Sequence, residues 1–555
     1  MIESIPESRR TLPRVAVAQA ERHGAKPYIV FSHAPARPIT YELFASNSEN
    51  AGSCLARDYS IPPGTIGATL LPNGADFVTA WGAYLFAGMV DVPINYEYRK
   101  TLLRFALATV GARMVITDAD GVERLLDPEV GDYLPELKLV VVAGQFDAGA
   151  ILPRLRATGC SAPLVPMAEL LRSRAPARAW EQVRADELAA LRYTSGTTGP
   201  AKGIMFSHLI LLNRTATHNH VMTLGQADVL YTPFPMYHGL SGMMGAIGAL
   251  QAGATMCGAA RFSASRFWAD CRDNGATLGH ILFSLLPMVL AQPESPLDTE
   301  HSVRWLYSGW PNREFETRFK TRFLQIFAQS EAGVMAFRRG GTEEGSRCVG
   351  QPIPEVEMRI VDELDHPVPA GAIGEIVIRP RAPHRLMMGY FNNLPATVRA
   401  FRNLWHHTGD AGLLDDEGRL TFLGRIGDTI RRRGVNISSD QLDEEIVRHS
   451  NVLECATIGV PSPFGEEDIL ACVVWREPPA SRDAAVVELI EFLAARLPRQ
   501  QMPRYVEIFD AFPKTDTGKI RKTALKAREA HEAVWDREAG TWLPSGAWAQ
   551  AAKAP

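Results

Sequence analysis

One run, Tyr193-Thr194-Ser195-Gly196-Thr197-Thr198-Gly199-Pro200-Ala201-Lys202-Gly203, concentrates the groups that bind phosphate. Glycines let backbone N–H groups approach phosphate oxygens, hydroxyls add donors, and Lys202 adds positive charge. The run begins where the strand-like LAALRY ends. It lacks the G-x-x-x-x-G-K-[ST] spacing of a Walker loop. Most clusters of Gly, Ser and Thr are plain surface loops between a strand and a helix, and the length of this one sets it apart. The chemistry it indicates is the handling of phosphate.

Taken with motifs far along the chain, this run resembles the signature of the adenylate-forming superfamily, which holds acyl-CoA synthetases, adenylation domains and luciferases. Phe327-Ala328-Gln329-Ser330-Glu331 resembles that superfamily's aromatic–small–x–Thr/Ser–Glu motif. Trp405-His406-His407-Thr408-Gly409-Asp410 resembles its T-G-D motif, and Gly424-Arg425-Ile426-Gly427-Asp428 its hinge motif. Pro513-Lys514-Thr515-Asp516-Thr517-Gly518-Lys519 resembles its C-terminal lysine motif. The order and separations fit over residues 10–526. The motif DxIRRRGxNIS, the stretch RFSASRFWADCRDNGAT and the closing VWDREAG are most similar to the crotonobetaine/carnitine-CoA ligase-like branch.

The resemblance implies a reaction. A carboxylate is a poor acyl donor, but its attack on the α-phosphate of ATP yields an acyl-adenylate from which AMP leaves readily. Two anions must be brought together in line, so charge has to be neutralised at the point of attack. Glu331 is the implied Mg²⁺ ligand, because Mg²⁺ takes one or two carboxylates plus phosphates. Thr194 to Gly199 and Lys202 would hold phosphates, with Ser330 donating to the α-phosphate and Gln329 beside it. Gly309-Trp310-Pro311 resembles the segment that lines the adenine. Asp410 would accept from the ribose hydroxyls, a carboxylate role shared with Rossmann proteins, and Arg425 would bind ribose or phosphate oxygens. Lys519 would reach across a cleft to the carboxylate and the α-phosphate, stabilising charge in the adenylation transition state.

Met236-Tyr237-His238-Gly239 resembles the superfamily's aromatic–His segment, so Tyr237 and His238 are expected at the acyl site. Leu240, Ser241, Met243, Met244 and Ile247 follow at helical spacing, as core or as pocket wall. From Val229 to Ala260 there is no Asp, Glu, Lys or Arg. Adenylation domains for α-amino acids place an aspartate near the start of this helix, so its absence argues against such a substrate. Two positions depart from the common pattern: Arg433-Gly434-Val435-Asn436 stands for G-G-E-N, and Gly427 for the usual Asp or Lys of the hinge. The run Arg431-Arg432-Arg433 reads as a solvated face or a contact to a CoA phosphate.

The elements that must position these groups follow from composition and pattern. The chain has 555 residues, 46% of them hydrophobic and 22% charged, with a formal net charge of −4. Single cores stop growing at roughly 250–300 residues, so two or more domains are expected. A mildly acidic balance speaks against a nucleic-acid binder. The seven cysteines are scattered and form no C-x-x-C pair, as in a cytoplasmic enzyme with reduced thiols. MIESIPESRR has no apolar run of a signal peptide. The charge-free stretch is long enough for a membrane span, but prolines, His238 and six glycines break it, so a buried helix is expected instead.

Apolar runs such as Met114–Thr117 and Leu137–Val142 alternate with helical patterns such as Asp76–Ala87, which implies parallel sheets covered by helices. Near residues 355–379 and 411–424 the texture becomes strand–turn–strand. The expected fold is α/β: a large N-terminal domain of mixed and parallel sheets with a small barrel-like β subdomain, then a small mobile α+β domain. The boundaries are placed at 1–424, a hinge at 425–428 with Gly427 as pivot, 429–526, and a tail at 527–555 whose packing the sequence leaves open. The expected activity is ATP-dependent activation of a small or medium, uncharged carboxylic acid and its transfer to CoA. A stand-alone adenylating enzyme that passes the acyl group to a carrier-protein thiol or an amine is the alternative. A silent nucleotide-binding scaffold is argued against by the retention of Lys202, Glu331, Asp410, Arg425 and Lys519. No integral membrane segment is expected, and a homodimer is left open.

Overall fold

Valine, isoleucine and leucine crowd the runs IGATL, MVITD and LVVVA, and these become the neighbouring parallel strands Ile66–Leu70, Met114–Asp118 and Leu139–Ala143. Strands buried on both faces need apolar residues at nearly every position, and all but the ends of these three are buried. The computed structural model describes residues 5–172, 176–193, 202–282, 285–308, 312–340, 347–432, 435–462, 467–515, 518–528 and 533–544. Of the side chains at 429, 431, 435, 436 and 441 nothing is said.

Among the described residues there are two large sheets, of thirteen and eight strands. In the eight-stranded sheet Leu188–Tyr193 runs parallel to Val90–Pro93 and antiparallel to Gly203–Ser207. The strands that flank the phosphate-loop candidate are therefore an antiparallel pair. The second of those strands also pairs with Gly389–Tyr390. In the thirteen-stranded sheet, five strands beginning at Pro27, Val229, Thr255, Leu278 and Trp305 are joined by parallel pairings, which continue to Arg322–Gln329. From there the sheet turns antiparallel through Gly333–Arg339 and Cys348–Pro352 to the strands beginning at Leu420, His406, Gly374 and Val356. The strand–turn–strand pairs read from the sequence are these last four. Their ladder is continuous with the main sheet, because Cys348–Pro352 pairs on both sides.

The charge-free stretch holds two strands, Val229–Thr232 and Thr255–Gly258, around a helical segment that is wound wide over Leu240–Ile247 and regular over Gly248–Ala252. No helix among the described residues is long and apolar enough to cross a membrane. Leu240, Met243, Met244 and Ile247 all lie in the largest hydrophobic cluster. The seven cysteines are free thiols.

Past residue 428 a two-stranded ribbon, Thr429–Arg432 with Val435–Ser438, leads into helix Ser439–Val447 and a five-stranded sheet. The tail enters that sheet: Val534–Asp536 pairs with Tyr505–Phe509, and Thr541–Leu543 closes the edge. Trp535 meets Trp542 edge to face at 5.6 Å, and Trp542 Nε1 donates to Asp483 Oδ1 at 2.6 Å. Trp535 and Trp542 of the tail thus cover the sheet and helix Arg482–Ala494.

Candidate active site

Asp410 sits where strand His406–Leu414 lies directly opposite Arg425 of Leu420–Arg425. The cross-strand pair closes at 3.0 Å from Arg425 Nε to Asp410 Oδ1, while Arg425 Nη1 donates to the Thr408 carbonyl at 2.9 Å. Gln329 Nε2 donates to Asp410 Oδ2 at 2.5 Å and to the same carbonyl at 2.8 Å, and Gln329 Oε1 faces His406 Nε2 at 3.3 Å. Gln329, expected to touch nucleotide, thus has both ends of its amide engaged in holding Asp410. Burial pushes the Asp410 carboxyl up to about 6, against Arg425, Gln329 and Lys519, with Glu331 pushing it further up.

Glu331 lies on the turn between Arg322–Gln329 and Gly333–Arg339. A strand follows this turn, so the Ser330-Glu331 pair caps no helix. Gly333 has φ +74°, and a Cβ there would come within 3.3 Å of Arg214, so glycine suits the turn on both counts. Arg214 is buried on helix His208–Met222 and over the Phe206 ring; its Nη1 donates to the Ser330 carbonyl at 2.6 Å and its Nη2 to that of Glu331. Burial brings the Arg214 guanidinium down to about 9, opposed by the charge of Glu331. Tyr390 Oη donates to Glu331 Oε1 at 2.9 Å. The Lys202 ammonium lies 4.9 Å from the centre of the same tyrosine ring, so Lys202, Tyr390 and Glu331 form one continuous row.

Lys519 arrives from the C-terminal domain on a tight loop. Lys514 bridges to Ile520, the Thr515 N–H donates to the Lys519 carbonyl at 2.7 Å, and the Lys519 N–H donates to Thr515 Oγ1 at 3.1 Å. The side chain keeps solvent access. Desolvation by the surrounding protein lowers the pKa of its ammonium, Arg425 lowers it further, and Asp410 and Asp440 oppose. Lys519 also repels a proton from His238, whose pKa burial already brings down to about 4. The lysine is therefore within Coulombic reach of both Asp410 and His238, which the chain separates widely.

His238 Nδ1 accepts from the Leu240 N–H at 3.3 Å, and its ring packs on Phe234. Ser241, expected at the acyl site, is fully buried; its hydroxyl donates to the Phe234 carbonyl at 2.8 Å and lies 2.7 Å from Thr232 Oγ1. It braces the turn that carries Tyr237 and His238. Further in, His218 Nε2 and His280 Nε2 are 2.9 Å apart, both rings packed against Tyr307. Burial holds His218 at about 4 and His280 well below the usual range.

Thr194, Ser195, Gly196, Thr197, Thr198 and Gly199, and Gly309, Trp310 and Pro311, lie outside the described residues. Of the arginine run, Arg433 also lies outside, and Arg432 overturns both expectations for it: it is buried, pairing with Asp468 at 3.0 Å and donating to the Met502 carbonyl at 2.8 Å. Gly427 is exposed in a single 3₁₀ turn, Ile426–Asp428, outside the left-handed region, and a Cβ there would meet nothing within 4 Å. Sequence reasoning passed over Tyr390, Arg214, His218 and His280. Nothing in their spacing marks them; each acts on a residue distant in the chain.

A sequence model described as AMP-binding enzyme matches residues 17–391, and one described as AMP-binding enzyme C-terminal domain matches residues 441–519. The sulfoacetate–CoA ligase of Cupriavidus necator is 29% identical over 533 residues, covering 94% of this chain and 98% of that protein. A crotonobetaine/carnitine–CoA ligase of Salmonella paratyphi A is 25% identical, covering 91% of this chain and 97% of that protein. Among solved structures, the anthranilate CoA ligase AuaEII in complex with anthranoyl-AMP has the same fold, with a TM-score of 0.81 at 20% identity over 95% of this chain and 98% of that one.

Proposed function

The chain belongs to the AMP-binding enzyme family and is an AMP-forming acyl-CoA synthetase, and we propose that it activates a small, uncharged carboxylic acid in two half-reactions at one site. In the first, the carboxylate attacks the α-phosphate of ATP and pyrophosphate leaves. In the second, the CoA thiol attacks the acyl carbon and AMP leaves. The observation that carries this reading is that Lys519 lies within Coulombic reach of both Asp410 and His238. A nucleotide whose ribose is held by Asp410 and an acid lying at His238 would meet at that ammonium.

Arg425 holds Asp410 from across the ladder, leaving the carboxylate to accept ribose hydroxyls. Lys202 and the loop before it hold the outer phosphates. Glu331 is an oxygen donor oriented by Tyr390 and suits Mg²⁺, which takes a carboxylate and phosphate oxygens. When bound there, the ion neutralises phosphate charge. The acyl portion meets the charge-free segment that begins at Val229 and neutral histidines at 238, 218 and 280, and these residues bring no formal charge to it. Lys519 and an incoming thiol need the same space, so residues 425–428 are assigned as the hinge about which the second domain, 429–526, rotates between half-reactions.

Trapping acyl-adenylates with hydroxylamine over a panel of acids, then adding CoA, tests this. Small uncharged acids should give hydroxamates and then thioesters. A best substrate carrying a second anionic group, or hydroxamates without thioesters on CoA addition, overturns the acyl or the acceptor assignment respectively.

Asp410 also predicts a pH dependence. Its carboxyl is ionised above about 6 and protonated below, and protonation removes an acceptor from the ribose. His238, at about 4, does not change charge over the same window. The KM for ATP should rise as pH falls through 6, approaching about tenfold per pH unit. Asp410→Asn should have a high KM at every pH and no such rise; a wild-type profile in that variant removes Asp410 from ATP binding.

A further inference from the structure

The strand that carries Asp410 is irregular where it matters. Along Gly374–Pro380 the partners of Ala411 and His407 are Glu375 and Val377, so Thr408, Gly409 and Asp410 lie together opposite Ile376. Two extra residues bulge out of the ladder there. Bulges of this kind re-aim side chains next to active sites, and they leave backbone N–H groups without ladder partners, which must be satisfied some other way.

Both are satisfied by side chains. The Asp410 N–H donates to Thr408 Oγ1 at 3.1 Å, and that hydroxyl donates to the Ile376 carbonyl at 2.6 Å. The Gly409 N–H, on a residue with φ +69°, donates to Glu375 Oε1 at 3.0 Å. The other oxygen of Glu375 is fixed from the opposite side: Arg402 Nη2 donates to Oε2 at 2.8 Å, and His407 Nδ1 lies 2.9 Å from it. Arg402 is held in turn by Asp365, at 3.3 Å through both Nε and Nη2, and Asn403 Nδ2 donates to Asp365 at 2.5 Å. One carboxylate thus couples a charged network on the outer face to the turn that aims Asp410 inward.

We propose that Glu375 is a positioning residue for ATP: its hydrogen bond to the Gly409 N–H holds the Thr408–Asp410 bulge so that Asp410 meets the ribose hydroxyls. The inference rests on the reading of Asp410 as the ribose acceptor. Glu375 acts on the ribose only through the Gly409 N–H. Removing its acceptor leaves the Gly409 N–H unpaired and frees the turn to relax into more regular pairing, which draws Asp410 out of the site.

The test is the ratio of kcat/KM for ATP to that for 2′-deoxy-ATP and 3′-deoxy-ATP. Hydrogen bonds to a charged acceptor correspond to about ten- to hundredfold discrimination, so the wild-type enzyme should favour ATP by that much. Glu375→Ala should raise the KM for ATP about tenfold, leave the KM for the acid unchanged, and bring the ratio toward one. Glu375→Gln keeps a carbonyl for Gly409 and should retain most of the discrimination. Where the alanine variant fails to fold, Glu375→Asp replaces it: the charge facing Arg402 and His407 stays, but the carboxylate ends short of Gly409, and the ratio should still collapse. A purely structural role would lower activity with all three nucleotides alike. A wild-type ratio in Glu375→Ala or Glu375→Asp, with the ratio lost in Asp410→Ala, overturns the role of Glu375 and leaves the ribose assignment standing. An unchanged ratio in Asp410→Ala overturns the ribose assignment and the role of Glu375 with it.

Discussion

Lys519→Ala should lower acid-dependent pyrophosphate release by about 10²–10³ or more, the range expected for one positioned electrostatic donor, while CoA still consumes a supplied acyl-adenylate. The split follows from where the lysine comes from. It is carried by the second domain on the loop pinned at Thr515, and its charge is felt at Asp410 and His238 of the first. A cation at that point stabilises charge only while the carboxylate attacks phosphate. In thioester formation the attacked centre is already activated, and the lysine must leave for the thiol to enter. Near-normal pyrophosphate release by the variant would remove Lys519 from the reaction. The same two assays should read Gly427→Pro the other way, with adenylation kept and thioester formation slowed. A side chain at Gly427 is tolerated in the present arrangement, so the proline acts on rotation, by fixing φ and removing an N–H. The proposed hinge is also tethered: Lys526 Nζ donates to the Gly427 carbonyl at 2.7 Å. Equal loss in both assays, or none, places the pivot elsewhere.

Glu331→Gln should abolish most Mg²⁺-dependent turnover, by about a hundredfold or more, while the protein stays folded. The amide keeps the shape and can still accept from Tyr390 Oη, so the turn built on Arg214 and Gly333 has no reason to collapse. What is lost is a full negative charge on a hard oxygen ligand, and Mg²⁺ dehydrates too reluctantly to accept an amide in its place. A thermal midpoint close to wild type, together with a Mg²⁺ titration that never restores the rate, is the expected pair of results. Wild-type turnover across that titration would make Glu331 a plain turn residue.

The sequence by itself determined the family and the order of its motifs, and it indicated the chemistry each motif could bring. Composition and periodicity also placed elements to within a few residues: the helix expected at Asp76–Ala87 spans Ala75–Phe86, and the strand expected at Met114–Thr117 spans Met114–Asp118. These readings succeed because they depend on near neighbours. An apolar run is a strand candidate wherever it occurs, and glycines with hydroxyls and a lysine suit phosphate whatever lies around them.

Tertiary structure decided which partner each group meets. Arg432 looked like part of a solvated or ligand-binding run, yet the fold buries it on Asp468, 36 residues away. Ser241 was open between core and pocket wall, and its hydroxyl bonds the segment before it through Phe234 and Thr232. The packing of the tail was left open, and antiparallel pairings draw Trp535 and Trp542 into a sheet beside Tyr505–Phe509. The sharpest case is Asp410. Its motif announced a carboxylate, but its direction comes from a bulge, and the bulge is held by Glu375, Gln329 and Arg425. None of these stands within ten residues of Asp410. Hydrogen bonds and ion pairs act over about 3 Å of space and take no account of distance along the chain, so only the folded arrangement can say which of many possible partners a buried charge has found.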